Sequence, residues 1–412
     1  MEIGFWICLA LVFYIYVGYP TIVFVLSRVL HRTVRKGDAY PLVTLIISAF
    51  NEEKEIERTI TNKLTQDYPQ DRLEIIAVSD GSTDRTDEII QTLCESSEGR
   101  LKFLRQEPRQ GKTQALNLAV GGTSSEILVF ADANSIHAPN ALRKIVRNFA
   151  DPSVGYVTGQ MIYTNPNGTG FAEGSGAYMR YENALRAWET QVGSVVGVDG
   201  GIDAVRRDLY VSMQPDQLPD FLLPLNVVEQ GKRVVYEPEA LLYEAALPVP
   251  SDEFRMRVRV SLRALWALHD KKNLLNPFRF PIFAWQLFSH KVLRYCAFFP
   301  LIGLLFFNVL VVEKQLFYSG FLVLQLLCYA WAASGHLLRR LPRTASKLLI
   351  PYYFVVLNIA CAIAVWKFLH GQKIVFWKPR GGISATATSD DHEKKPGSAI
   401  EKTVSARTER RF

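Results

Sequence analysis

Leu42-Val43-Thr44-Leu45-Ile46-Ile47-Ser48-Ala49-Phe50-Asn51-Glu52-Glu53 is a short run of mostly branched apolar residues that breaks abruptly into an amide and two acids. A run of this length and branching predicts a buried strand over Leu42–Ala49, and the apolar spacing of the next residues predicts a helix over Glu52–Leu64. The same alternation recurs downstream. Leu73–Ser79 reads as a strand and Asp84–Leu93 as a helix; Leu101–Leu104 reads as a strand, Lys112–Val120 as a helix, and Glu126–Phe130 as a fourth strand. Strand and helix in turn predict an α/β fold with a mainly parallel sheet, which binds ligands at the carboxyl ends of its strands. Beyond Asp151 the pattern loosens to a strand near Tyr156–Tyr163 and a helix near Tyr178–Glu189.

The chain has 412 residues, 49% hydrophobic and 21% charged, which excludes a disordered, collagen-like or disulfide-stapled protein. Its mean hydropathy of +0.06 hides strong clustering. Gly4–Ser27, Tyr295–Val312, Leu316–Leu338 and Leu348–Trp366 carry no charged residue, and each approaches the length needed to cross a bilayer. Only Glu2 precedes the first run, whereas Arg28, Arg32, Arg35 and Lys36 follow it. This is the pattern of a retained anchor whose following domain is cytoplasmic, not of a cleaved signal peptide. Phe278–Ser289 is amphipathic and too short to span, as expected of an interfacial segment. The expected organisation is an anchor over 1–30, an α/β domain over 31–275, interfacial and membrane helices over 276–370, and a disordered tail over 381–412. Four crossings from an outside N-terminus would leave the tail outside, yet Lys367, Lys373, Lys378 and Arg380 argue for cytoplasm. Either Leu348–Trp366 does not cross, or a further crossing lies near Phe278–Val312. The five cysteines show no metal-ligand spacing and read as small buried hydrophobes.

The ends of the expected strands collect chemistry. The first runs into Asn51-Glu52-Glu53, the second into Asp80-Gly81-Ser82-Thr83-Asp84 and the fourth into Asp132-Ala133-Asn134, with Gln110-Gly111-Lys112 between them. Any one could be a helix cap or a turn. Three in sequence at strand ends point to a ligand site. Two oxygen-bearing side chains one residue apart, Asp132 and Asn134, suit a hard cation that shares a phosphate ligand.

In order and spacing these segments, with Asn117 after Gly111-Lys112, resemble family 2 glycosyltransferases, and with apolar runs at both ends the chain resembles their membrane-integrated branch of poly-N-acetylglucosamine, hyaluronan and cellulose synthases. The resemblance implies a GT-A (Rossmann-like) fold and inverting transfer of a sugar from a nucleotide donor, expected to be a UDP-sugar. It implies that Ala49, Asn51 and Glu52 line the nucleobase and ribose, that Asp80 bonds the nucleobase, and that Lys112 lies near the nucleotide. It also implies that Asp132 begins the Asp-x-Asp signature holding Mg²⁺ or Mn²⁺. Asn134 departs from that signature by offering a neutral amide oxygen. Asp220, within Leu218-Pro219-Asp220-Phe221-Leu222-Leu223-Pro224, stands where the family has its general base. Gly200 and Gly201 resemble the acceptor-side loop. The family's Gln-x-x-Arg-Trp motif is missing; Arg255, Arg257, Arg259, Arg263 and Trp266 occupy its place, with Arg259, Arg263 and Trp266 the candidates for diphosphate and acceptor. His137 is within reach of the cation motif in sequence.

The expected activity is sugar transfer to a growing polysaccharide or lipid-linked acceptor by an inner-membrane enzyme with a cytoplasmic catalytic domain. Expected partners are the nucleotide-sugar, the glycan or lipid acceptor and membrane lipids, with room for polysaccharide export proteins. The net charge of +7 gathers beside the apolar runs and in the tail, so nucleic acid is not an expected partner. Two alternatives stand: transfer of one sugar to a polyprenyl or other lipid carrier, and a non-catalytic scaffold or polysaccharide-binding subunit with an eroded site.

Overall fold

The computed structural model describes residues 1–164, 170–245, 250–338 and 349–374; the expected tail over 381–412 lies outside the described residues. Eight strands form one sheet in the order β3-β2-β1-β4-β7-β6-β8-β5. Its parallel half is β1 (Val43–Ala49), β2 (Leu73–Ser79), β3 (Leu101–Arg105) and β4 (Ile127–Asp132). Val43 is level with both Leu73 and Ile127, so the three central strands end together. Their alternate residues feed two cores. Leu45, Ile47 and Ala49 face the side covered by α3 (Ile56–Leu64), α4 (Thr86–Ser96) and α6 (Ala141–Val146). Ile46, Ile76 and Val78 face α5 (Lys112–Gly121), α8 (Pro219–Glu229) and α9 (Pro250–Asp270). Burial on both faces is why these strands read as unbroken apolar runs.

The expected elements appear with shifted ends. α3 begins at Ile56 instead of Glu52, because Asn51 to Glu55 are spent in a loop whose Asn51 has φ 54. β6 (Val154–Thr164) and α7 (Gly170–Val192) extend well past the expected strand and helix. The second half of the sheet is mixed. β7 (Ile202–Arg206) runs antiparallel to β4 and β6, β8 (Arg233–Ala245) is parallel to β6, and β5 (Ile136–His137) is antiparallel to β8.

α1 (Glu2–Phe13) continues through a π-turn into α2 (Tyr19–Leu30). α10 (Pro281–Leu287) and α11 (Leu293–Tyr295) lead, with a 60° bend, into α12 (Phe298–Val311), followed by α13 (Leu316–Leu338) and α14 (Ile350–Leu369). By length and composition three of these helices could cross a membrane: Glu2–Leu30, Leu316–Gly335 and Ile350–Leu369; the bent pair makes a fourth candidate. A buried polar network ties them to the α/β domain. Tyr19 Oη donates to Glu189 Oε1 (2.6 Å), His290 Nδ1 meets the same oxygen at 2.7 Å, and Arg294 pairs with Glu182 at 2.6 Å. Glu182 and Glu189, which look like surface or packing residues in the sequence, are thus internal ion-pair members. In this setting Glu182 keeps its charge: burial disfavours the carboxylate, but Arg294 and His290 hold it well below the usual range.

Candidate active site

The carboxyl ends of β1, β2 and β4 converge with the first turns of α5 and α8. The loop after β1 is clasped to the loop after β2: Thr83 N donates to Asn51 Oδ1 (2.8 Å), Asn51 N to Ser82 Oγ (3.1 Å) and Glu52 N to Thr86 Oγ1 (2.8 Å). Ala49, at the strand's end, is buried. Asp84 accepts from Thr86 N and Oγ1 at 3.0 and 2.6 Å, so it shapes the start of α4.

Asp80 is buried and organises the segment that follows β3. Gln106 Nε2 reaches its Oδ1 at 2.5 Å, Gln110 N at 2.8 Å, and Gly111 N lies 3.0 Å from both carboxylate oxygens. Arg109, also on Asp80 at 3.4 Å, lies over the Phe50 ring at 3.4 Å from its centroid. Gly111 takes φ +93, a conformation open to glycine, and delivers Lys112 as the first residue of α5.

Lys112 is the hub. Its Nζ lies 2.9 Å from Asp132 Oδ1, at the end of β4, and 3.3 Å from Asp220 Oδ1, in the first turn of α8. Burial opposes its charge, but the two carboxylates outweigh burial and hold the ammonium above its ordinary range. α5 also anchors the segment leading to Asp220. Thr113 Oγ1 donates to the Gln217 carbonyl (2.9 Å), and Asn117 Nδ2 donates to that of Met213 (2.8 Å). From the other side Arg263 Nε donates to the Asp216 carbonyl at 3.1 Å, and its Nη2 to that of Gln217. Burial and neighbouring Arg259 bring the Arg263 guanidinium down to about 10, against the pull of Asp220 and Asp216. Gly200 has φ +82, and a Cβ there would come within 3.0 Å of Asp220 Cγ; Gly201, at φ +82 as well, abuts Leu242.

The structure therefore brings Lys112, Asp132, Asp220 and Gly200 together, with Arg263 behind Asp220. Trp266 stands apart, its Nε1 donating to the Gln372 carbonyl (2.8 Å) and its ring 4.7 Å from that of Phe368. His137 turns away from the cation motif: its Nε2 is 3.0 Å from the Gly201 carbonyl, and burial, with Lys63 nearby, lowers its proton affinity well below the ordinary value.

Two buried groups escape sequence reasoning. Lys63 Nζ donates to the Ser135 carbonyl (2.6 Å) beneath the Asp132–Asn134 turn, and burial lowers its proton affinity, opposed by Asp132. Its place beside Ile56, Thr59 and Ile60 on the buried face of α3 is the available signal. Asp203, 1% exposed on β7, has its pKa raised to about 8, first by burial and then by the Asp220 charge. An acid inside the apolar Ile202–Val205 run marks it.

Among the described residues no group of three His, Cys, Asp or Glu side chains converges as a closed metal cage. The donors at the end of β4 are the Asp132 carboxylate and the half-buried Asn134 amide. A hard cation that takes its remaining ligands from phosphate and water fits such an open set. The Lys112 ammonium already supplies a positive charge between the two acids, so the site is built to stabilise one.

A family model described as "Glycosyl transferase family 2" matches residues 44–210, the span that carries β1 to β4, Lys112 and Asp132. That match covers about two fifths of the chain and marks residues 44–210 as similar to a family 2 glycosyl transferase domain. The chain is 26% identical over 253 residues to poly-beta-1,6-N-acetyl-D-glucosamine synthase of Staphylococcus aureus, covering 58% of this chain and 59% of the relative. It therefore spans about three fifths of the length of the first curated relatives it matches. To beta-monoglucosyldiacylglycerol synthase of Synechocystis sp. it is 34% identical over 177 residues, 42% of this chain and 37% of the relative. Among solved structures, mannosyltransferase PcManGT from Pyrobaculum calidifontis, in complex with GDP-Man and Mn²⁺, superposes with a TM-score of 0.68 over 90% of this chain and 99% of that one, at 21% identity. This likeness places the glycosyl transferase domain and its apolar helices in a shared GT-A architecture.

Proposed function

We propose that the protein is a membrane-bound inverting glycosyltransferase that moves a sugar from a nucleoside diphosphate donor to a lipid-linked or glycan acceptor. The observation that carries this is the meeting of Asp132 and Asp220 on Lys112 across 20 and 108 residues of sequence. Asp220 Oδ takes the acceptor hydroxyl proton as that oxygen attacks the anomeric carbon, and the bond from the sugar to the diphosphate breaks on the opposite face. Lys112 holds both carboxylates in place and lends positive charge toward the leaving diphosphate. Asp132 and Asn134 would hold Mg²⁺ or Mn²⁺, which when bound neutralises leaving-group charge. The loops of Ala49, Asn51, Glu52 and Asp80 form the nucleotide side, with the Phe50–Arg109 stack as a flat surface beside it. The Gly200–Gly201 loop forms the acceptor side. The PcManGT complex with GDP-Man and Mn²⁺ supports a nucleotide-sugar and a divalent ion here. The relatives named for poly-N-acetylglucosamine and monoglucosyldiacylglycerol synthesis favour N-acetylglucosamine or glucose as the sugar, and a UDP-sugar is the donor we propose. Arginines after the first apolar run support a cytoplasmic orientation of the domain in an inner-membrane enzyme.

A second reading, transfer of a single sugar to a lipid carrier, is favoured by Arg263 and Trp266. These residues stand where polymer synthases carry their acceptor motif, and both are engaged with backbone carbonyls. A screen of purified protein against UDP- and GDP-sugars, with product mass analysis, tests both. One added sugar selects the second reading, and a ladder selects polymerisation. Asp220→Asn abolishes turnover while leaving donor binding intact; full turnover by that variant would remove Asp220 as the base. Failure of the unmodified protein to hydrolyse or transfer from every donor would leave the scaffold alternative.

A further inference from the structure

α14 has the composition of a transmembrane helix, but its neighbours do not permit a crossing. Along its whole length it lies beside α9. Tyr353 Oη donates to Glu253 Oε1 (2.9 Å) and accepts from Arg257 (2.9 Å), the Cys361 sulfur is 3.9 Å from Ser261 Oγ, and Phe368 packs edge-on against Trp266. The two helices therefore run parallel and in step. α9 carries Glu253, Arg255, Arg257, Arg259 and Arg263, and each ionised side chain placed at mid-bilayer costs several kcal/mol. A helix with five of them does not sit in hydrocarbon, so neither does a partner held in step with it.

The other contacts give the level at which the pair lies. Glu2 pairs with Lys314 at 2.9 Å and Trp6 stacks on Phe317, so α13 begins beside the end of the anchor remote from the α/β domain. Twenty-three residues of helix, about 34 Å, return it to the domain end, where a Cβ on Gly335 would collide with Tyr352. α14 then meets Tyr16 (Oη to Asn358 Oδ1, 3.3 Å) at the middle of the anchor, where the Tyr16 carbonyl also accepts from Tyr181 Oη of α7 (3.4 Å), so this contact lies level with the α/β domain. It ends on the domain itself: Trp266 Nε1 donates to Gln372 O (2.8 Å), and Lys373 pairs with Asp216 (2.5 Å), four residues before Asp220. Ile359, Trp366 and Leu369 are exposed within a narrow arc of the helix, facing away from the buried Tyr353, Ala360 and Ala364.

We infer that α14 lies along the membrane surface on the catalytic-domain side, with Ile359, Trp366 and Leu369 resting on lipid, and does not cross the bilayer. The crossings are then the anchor, the bent α10–α12 segment and α13. Residues 370–374 stay on the domain's side, where Lys373 fastens the segment that carries Asp220. This arrangement satisfies the positive-inside pattern of Lys367 and Lys373 with an outside N-terminus.

The unmodified full-length protein tests this in sealed membrane vesicles of known orientation. A membrane-impermeant lysine reagent, followed by mass mapping, compares Lys102 in the α/β domain, Lys314 in the α12–α13 loop, and Lys373; each is about half exposed. Lys373 is expected to label in the same vesicles as Lys102 and in the opposite ones to Lys314. Labelling of Lys373 together with Lys314 overturns the inference. A nitroxide attached at Ile359→Cys, in protein otherwise free of cysteine, gives an independent depth. A position at the headgroup boundary supports the surface helix, and a position at mid-bilayer refutes it.

Discussion

Asp203 sits within β7 between Phe130 of β4 and Thr158 of β6, with Asp220, Lys112 and Asp199 charged around it and Tyr156 beside it. Its Oδ1 is buried without a hydrogen-bond partner among the described residues. Burial first, and the Asp220 charge second, lift its pKa from 3.8 to about 8. The native state therefore keeps a proton that the unfolded chain releases. Relative to a neutral residue, the stability associated with Asp203 is complete below pH 3.8 and is lost progressively as pH rises toward 8. Asparagine has the shape of the protonated acid and no proton to lose. At about 1.4 kcal/mol per unit, Asp203→Asn should gain up to about 4 kcal/mol on the parent between about pH 5 and pH 8. That corresponds to a Tm advantage of the variant larger by on the order of 10 °C at pH 8 than at pH 5. Thermal unfolding of full-length parent and variant in detergent, followed by tryptophan fluorescence across that range, measures it. A Tm difference that does not change with pH would refute the reasoning, because it would mean that Asp203 is ionised in the native state throughout.

The other predictions concern the site itself. Gly200→Ala puts a methyl group against Asp220 Cγ and strains a φ of +82, so kcat should fall at least tenfold for about 1–2 kcal/mol of stability; unchanged kcat in steady-state assays would separate this loop from the base. Arg263→Ala leaves the Asp216 carbonyl without its side-chain donor and the Gln217 carbonyl with Thr113 Oγ1 alone, and should cost about 2 kcal/mol and lower kcat more than it raises donor KM; a purely KM effect would instead make Arg263 a donor contact. Asn134→Asp adds a charge beside Asp132 and should lower the Mn²⁺ concentration for half-maximal activity or binding by roughly tenfold; calorimetry showing no change would remove Asn134 from the ion.

Parts of the fold and site can be read from the sequence because their causes are local. Strands buried on both faces must be apolar along their whole length, which makes β1, β2 and β4 conspicuous, and a parallel sheet must end its strands at one edge, which places Asn51, Asp80 and Asp132 there together. The mixed half was not legible. β7, β8 and β5 are defined by whom they pair with, and pairing partners separated by many residues leave no local pattern. Asp203 and Lys63 are similar: their side chains are ordinary for surface residues, and their altered proton affinities come only from the walls around them.

The apolar runs show the same division. Freedom from charge over about 20 residues marks Leu316–Leu338 and Leu348–Trp366 alike, because hydropathy measures transfer of one segment taken alone. The sequence by itself determined the α/β class, the order of the strand-end acids and the presence of segments long and apolar enough to cross a membrane. Tertiary structure decided that Lys112 joins Asp132 to Asp220, that Arg263 and Trp266 bind backbone, and that α14 keeps to the side of charged α9. The physical reason is that propensity and hydropathy belong to a segment, whereas a charge's partner, and the solvent around a helix, belong to whatever the fold packs against it.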